Sequence, residues 1–236
     1  MDNKAAEWDK SYARYENHIL EPQTNVVKFL NRYLGKRTVD GSTSPSPPPV
    51  DTCTQVKVLD FACGIGAHAV YAAGFGVRAT GLDISQNALD FAKKNAAMRG
   101  VPATLINFEK ISGPDCLKRF REQGFSLAIA ESCLDSMPFA LARSYLSEIL
   151  LCTRGYVHLT LISDAMNNGK CGEVVIESGH ENGTIQYFYS EKCVEKLLDG
   201  MPMSVVEMTL SEERTVSGKD VVYSRYYITL SNCGDV

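Results

Sequence analysis

Between residues 55 and 162 the chain alternates short apolar runs with amphipathic stretches. Two runs, at 55–60 and Val77-Arg-Ala-Thr-Gly-Leu82, have strand length and each meets a carboxylate, Asp60 and Asp83. The span 66–74 between them, rich in alanine, predicts a helix. A second helix is predicted over 86–98, with Leu89, Ala92 and Ala96 on one face, Ser85 as its N-cap and Gly100 as its stop. Further strands are predicted at 103–106, at 125–130 ending at Glu131, and at 156–162. Helix 138–151 turns Leu141, Ala142, Tyr145, Leu146, Ile149 and Leu150 to one side, and Pro138 suits its first turn. Such alternation predicts βαβ units and a parallel sheet. Ligands of such sheets bind beyond the carboxyl ends of the strands, where Asp60, Asp83, Asn107 and Glu131 are expected to gather.

The flanks read differently. Residues 1–40 are expected to form an N-terminal helical segment, in which Val26, Val27, Phe29, Leu30, Tyr33 and Leu34 share a face after Thr24, and Gly35 stops the helix. The stretch 41–54 contains Gly41-Ser-Thr-Ser-Pro-Ser-Pro-Pro-Pro-Val50, too proline-rich for a helix or a central strand, and reads as a surface loop. The rest, 55–236, reads as one domain without internal repeats. In its last third, Val174-Val-Ile176 and 184–189 can pair as a short hairpin before helix 191–199. Strands 204–210 and 221–230 have too short a connection for a parallel crossover, so an antiparallel hairpin closes the sheet. The expected fold class is α/β: a doubly wound, Rossmann-like, seven-stranded sheet, mostly parallel.

Composition narrows the partners. A net charge of −4 and the lack of a dense Lys/Arg run argue against nucleic acid, whose phosphates demand a concentrated basic face. No apolar run has the length of a membrane span, and the charged N-terminus lacks a signal-peptide core, so the expectation is a cytoplasmic protein without membrane contact. The eight cysteines form no Cys-x-x-Cys and no metal-ligand spacing, which points to mostly reduced thiols and no metal site. Cys63, inside the glycine loop, reads as a packing residue rather than a catalytic thiol.

The chemistry concentrates in Leu59-Asp-Phe-Ala-Cys-Gly-Ile-Gly66. A strand, a tight glycine turn and a helix N-terminus let backbone approach a nucleotide-like ligand, and the acidic Asp83 ending the next strand suits a ribose diol. Together with Thr80-Gly-Leu-Asp-Ile-Ser85, Phe125-Ser-Leu-Ala-Ile-Ala-Glu131 and the terminal hairpin, this order of elements resembles class I S-adenosylmethionine-dependent methyltransferases. The resemblance implies S-adenosyl-L-methionine as cofactor. It implies that Asp60, Ala62, Gly64 and Gly66 run past its methionine part, that Asp83 holds the ribose, and that Ile84 packs on adenine. It also implies Asn107 and Phe108 at the adenine edge and Glu131 beneath the cofactor. Ala62 departs from the family pattern, standing where its first glycine is expected, and alanine disfavours a positive φ. Trp8-Asp-Lys-Ser-Tyr12 is similar to a lid segment in some branches of the family, which would place Tyr12 and Tyr15 over the cofactor. The stretch 179–189 resembles the acceptor roof of small-molecule enzymes of the tellurite-resistance-like group.

Methyl transfer from a sulfonium needs alignment and exclusion of water more than a conspicuous catalytic cluster. Asp135, Glu131 and His180 are the candidates for a proton acceptor near the expected acceptor pocket; Asp135 or Ser136 also suits a cap for helix 138–151. His158, inside a strand, reads as a core residue. A dinucleotide-dependent dehydrogenase shares the first βαβ unit, but the third glycine of its fingerprint is missing here. A small-molecule acceptor is the expectation; a protein lysine or arginine acceptor, or a cofactor-binding regulator without turnover, are the alternatives.

Overall fold

The computed structural model describes residues 5–35, 56–177, 181–215 and 220–232. The proline-rich stretch 41–54, His180, Cys53 and Cys233 lie outside the described residues. Two helices, α1 (Ala5–Ala13) and α2 (Thr24–Leu34), precede the sheet. Then come β1 (Lys57–Phe61), α3 (Ala67–Ala73), β2 (Arg78–Asp83), α4 (Gln86–Met98), β3 (Ile106–Lys110), β4 (Phe125–Ala130), α5 (Phe139–Cys152) and β5 (Thr153–Ile162). The chain ends with β6 (Gly172–Val175), β7 (Ile185–Phe188), α6 (Glu191–Leu198), β8 (Ser204–Arg214) and β9 (Val221–Ser231).

Seven strands form one sheet in the order β3-β2-β1-β4-β5-β9-β8. The first five are parallel, and β9 runs antiparallel to both β5 and β8. β6 and β7 make a separate antiparallel hairpin. A parallel sheet must be covered on both faces, and two apolar cores do so. One packs Phe61, Phe125, Tyr145 and Leu146 beneath α5 and α6; the other packs Val26, Phe29, Leu30, Val70, Leu89 and Leu127 beneath α2, α3 and α4. β4 is buried along its whole length, which explains an apolar run interrupted only by Ser126.

Two elements differ from the sequence reading. β3 starts where it was expected to end. Leu105 N donates to Pro102 O, so Pro102–Leu105 is a turn, and the strand follows over 106–110. β3 is an edge strand, which tolerates the polar Asn107 and Glu109 that weakened its sequence signal. β5 begins at Thr153, directly after α5, with a register shift between Phe125 and Leu127 in the neighbouring β4. There a Cβ on Gly155 would lie 2.3 Å from Ser126 O, so only glycine admits this approach. Among the described residues most thiols are free, Cys63, Cys116, Cys133 and Cys152, with one exception. Cys171 and Cys193 form a disulfide joining the start of the β6–β7 hairpin to α6, a pairing that a sequence separation of 22 conceals. Cys63, Cys133 and Cys152 are free and buried.

Candidate functional site

The glycine loop leaves β1 and enters α3 at the carboxyl edge of the sheet. Asp60, 1% exposed, accepts the Ala69 N–H at 2.9 Å and so anchors the first turn of α3. His68 Nδ1 lies 3.8 Å from the same carboxylate, while its Nε2 accepts the Gln23 N–H at 3.3 Å. Ala62 takes φ +54° and Gly64 and Gly66 take +52° and +77°, so the loop needs left-handed backbone at all three positions. The alanine that disfavours this conformation adopts it, and that strain belongs to the loop. Burial, then the neighbouring Asp60 and Asp83, push the Cys63 thiol well above its ordinary range, so it stays protonated and packs.

Asp83 closes β2. Its carboxylate accepts the N–H of Gly64 and of Ser85, each at 2.8 Å, and thereby ties the two loops together. Burial pushes its pKa up to about 6, against the pull of those amides. Each carboxylate oxygen still has a lone pair for a hydroxyl. Asp83 and Ile84 line a cleft together with Ile111, Ala62, Ser132 and Met137. Trp8 and Tyr12 of α1 line it from above, and with α1 seated it encloses about 90 Å³. α1 is docked by Asp9, whose carboxylate accepts from Ser85 Oγ at 2.7 Å, Asn87 N at 3.1 Å and Asn87 Nδ2 at 2.9 Å. The Tyr12 hydroxyl sits where a Cβ on Gly64 would lie only 2.7 Å away, so that glycine admits the lid.

The structure does not bring every sequence candidate to this cleft. Tyr15 is 67% exposed and packs on His18 and Phe91 outside it, because the chain leaves α1 at Tyr15 with φ +62°. Asn107 is the second residue of β3, well short of the strand's carboxyl end, and its Nδ2 donates to Glu109 Oε1 at 2.6 Å. The ring of Phe108 fills the space that Gly66 and Gly81 leave, so it supports the loop from behind. Ile111, beyond β3, occupies the cleft wall instead. Asp135 is 1% exposed and held by Arg225 Nη1 at 2.7 Å and Ile162 N at 2.8 Å; it caps no helix, and α5 has Pro138 at its N-cap without a side-chain bond. Glu131 is not itself in the cleft lining: one carboxylate oxygen accepts Asn25 Nδ2 at 2.8 Å, the other accepts the hydroxyl of the lining residue Ser132 at 3.2 Å, and burial raises its pKa. His158 is a core residue as read, 4% exposed, with its pKa lowered to about 4 by burial and by His68.

Sequence reasoning missed Ser132 and Ile111, which line the cleft, and Asn25, which reaches Glu131 across 106 residues. The first two follow strand ends, so a strand-end rule applied with the observed register finds them; Asn25 carries no local signal. Among the described residues no cluster of His, Cys, Asp and Glu could hold a metal ion, and no helix is long and apolar enough to cross a membrane.

The buried carboxylate flanked by Ile84 and Ile111 fits a ribose and an adenine face, and the strained backbone at Ala62 opens the turn toward the cleft. Comparison with known proteins agrees. Residues 58–154 match the family described as "Methyltransferase domain". The chain is 30% identical over 108 residues to a ribosomal RNA large subunit methyltransferase I of Aeromonas hydrophila, covering 45% of this chain and 26% of that protein. It thus spans about a quarter of that relative's length. A solved methyltransferase from Anabaena variabilis superposes with a TM-score of 0.65 at 14% identity, over 98% of this chain and 96% of that one. The Burkholderia thailandensis 1,6-didemethyltoxoflavin-N1-methyltransferase, solved with 1,6-didemethyltoxoflavin and S-adenosylhomocysteine, superposes with a TM-score of 0.64 at 14% identity, over 97% and 87%. Residues 58–154 are therefore a methyltransferase domain, set in a chain with the class I S-adenosylmethionine-dependent methyltransferase fold.

Proposed function

We propose that the chain transfers a methyl group from S-adenosylmethionine to a small-molecule acceptor, and that the cleft beneath α1 is where both meet. When bound, the cofactor supplies an electrophilic methyl on a sulfonium. Asp83 would accept the two ribose hydroxyls, Ile84 and Ile111 would face adenine, and the backbone of Ala62–Gly66 would run along the methionine part. Phe108 and Asp60 act behind that loop, holding Gly66 and the start of α3 in place. Tyr12 and Trp8 act as a lid that excludes water from the displacement. The cleft is closed to about 90 Å³ with the lid seated, below the roughly 300–1,000 Å³ of small-molecule sites, so α1 moves outward for entry.

The observation that carries this reading is the joint placement of Asp83, Ile84, Ala62, Ser132 and the lid residues on one cleft at the sheet's carboxyl edge. An enclosed cleft under a lid favours a compact acceptor over a macromolecule. RNA is the second reading, favoured by the name of the 30%-identical relatives. Against it stands the net charge of −4, since an RNA backbone calls for basic groups along its path. The test is methyl-tritiated S-adenosylmethionine added with the protein to a lysate, followed by separation into small-molecule, protein and RNA fractions. Label in the small-molecule fraction is expected. Label confined to RNA or protein reverses the acceptor, and no label with cofactor bound favours a regulator without turnover.

A further inference from the structure

We infer that Asn25, in the first turn of α2, positions a Glu131–Ser132 pair that takes up the proton released by the methyl acceptor. The inference rests on the methyltransferase reading above and adds a proton route to it.

Asn25 Nδ2 donates to Glu131 Oε2 at 2.8 Å and lies 2.9 Å from His158 Nε2. An amide nitrogen has two protons, and here two acceptors stand ready for them. Both bonds require His158 Nε2 to be unprotonated, with the imidazole proton on Nδ1, and they leave Glu131 Oε2 an acceptor whether or not Oε1 carries a proton. The Glu131 and His158 side chains are 6% and 5% exposed and 3.7 Å apart. With the amide removed, an imidazole and a carboxylate this close and this dry would share a proton directly. Asn25 thus insulates the carboxylate from the imidazole.

Glu131 Oε1 faces the other way and accepts the Ser132 hydroxyl at 3.2 Å. Ser132 is exposed and lines the cleft. It is held in left-handed backbone, φ +52°, with its N–H on Thr160 Oγ1 at 2.9 Å. Backbone strain at a cleft residue persists only where surrounding bonds enforce it. The charged and titratable groups around Glu131 are His68 from α3, Cys133 from the loop after β4, His158 from β5, and Arg225 and Tyr227 from β9. Burial raises the Glu131 pKa, while Asn25, His68 and Arg225 pull it down; the net shift is upward, toward a useful base.

The step balances within the chain. The acceptor's N–H or O–H gives its proton to Ser132 Oγ as the Ser132 proton passes to Glu131 Oε1, leaving a neutral carboxylic acid. The acceptor's lone pair forms the bond to the methyl carbon, and the electrons of the broken carbon–sulfur bond stay on sulfur. Ser132 touches the acceptor and is the catalytic residue; Asn25 is a positioning residue.

The test combines side-chain NMR of the protein, labelled at histidine nitrogens and glutamate carboxyls, with the pH profile of methyl transfer to the labelled small-molecule fraction. In the wild type, His158 is expected to stay neutral between about pH 5 and 8. In Asn25→Ala it is expected to titrate inside that window, and transfer falls about 10²-fold or more while S-adenosylhomocysteine binding changes little. Asn25→Ser, with one donor, gives an intermediate titration and covers the case in which the alanine variant fails to fold. Ser132→Ala is expected to lose transfer with the His158 titration unmoved. A His158 that does not titrate in either Asn25 variant, or transfer that survives Ser132→Ala, overturns the inference. A wild type that binds no cofactor overturns the methyltransferase reading instead, while the histidine titration still decides the positioning role.

Discussion

Ala62 and Ser132 are non-glycine residues with positive φ, and both line the cleft. They sit at the carboxyl ends of adjacent strands β1 and β4, where the chain must turn sharply away from the sheet. Such residues store about 1–3 kcal/mol of backbone strain each. Ala62→Gly is therefore expected to stabilise the fold by about 1 kcal/mol after the entropic cost of glycine, read as a higher urea midpoint. Asp83 gives a pH prediction. Its pKa is raised by burial to about 6, so the acid form suits the folded protein. Its contribution to stability is full below the unfolded value near 3.9 and is lost as pH rises through about 6. A ribose diol donates to the carboxylate, so S-adenosylmethionine affinity is expected to climb from about pH 5 to 7, and calorimetry that finds a flat profile excludes this role.

At the scale of elements, one residue joins the lid to the sheet. Ser85 Oγ accepts the Ala88 N–H as the N-cap of α4 and donates to Asp9 of α1. Ser85→Ala is expected to cost about 1 kcal/mol and to release α1, seen as faster tryptic cleavage after Lys10 and Arg14. Burial pushes the Asp9 pKa up, but bonds from Ser85 and Asn87 outweigh it and the net shift is downward, so the docked lid is kept above the ordinary carboxylate range and lost as pH falls through the lowered value. Ser85 was legible as a cap from sequence because capping is local. So were α2, α4 and α5, whose apolar faces repeat with the helical period. β3 was legible only in outline, since an edge strand need not be apolar and its register came from pairing with β2. The shift moved Asn107 off the strand's end and put Ile111 in the cleft.

Across the whole molecule, a buried ion pair fixes the loop that follows β4. Arg225 from β9 meets Asp135 at 2.7 Å, and the Asp135 carbonyl accepts from Tyr187 N and Gln186 Nε2 of β7. One residue, Asp135, thus registers the terminal hairpin, the β6–β7 hairpin and the cleft loop against one another. Asp135→Asn or Arg225→Met, each leaving an unpaired buried charge or acceptor, is expected to cost about 3–5 kcal/mol in chemical unfolding. Replacing both with apolar residues of similar size is expected to restore much of that loss. Sequence alone determined what depends on neighbours along the chain: the alternation of strands and helices, the closing hairpin, the glycine turn, and the two carboxylates Asp60 and Asp83. Only the tertiary structure decided what depends on residues far apart in sequence. It turned Asp135 from a candidate base into a buried strut, joined Cys171 to Cys193, sent Tyr15 outward and brought Asn25 to Glu131 and His158. The physical reason is range: capping, turn strain and periodicity act within a few residues, whereas the partner of a buried charge is chosen by packing.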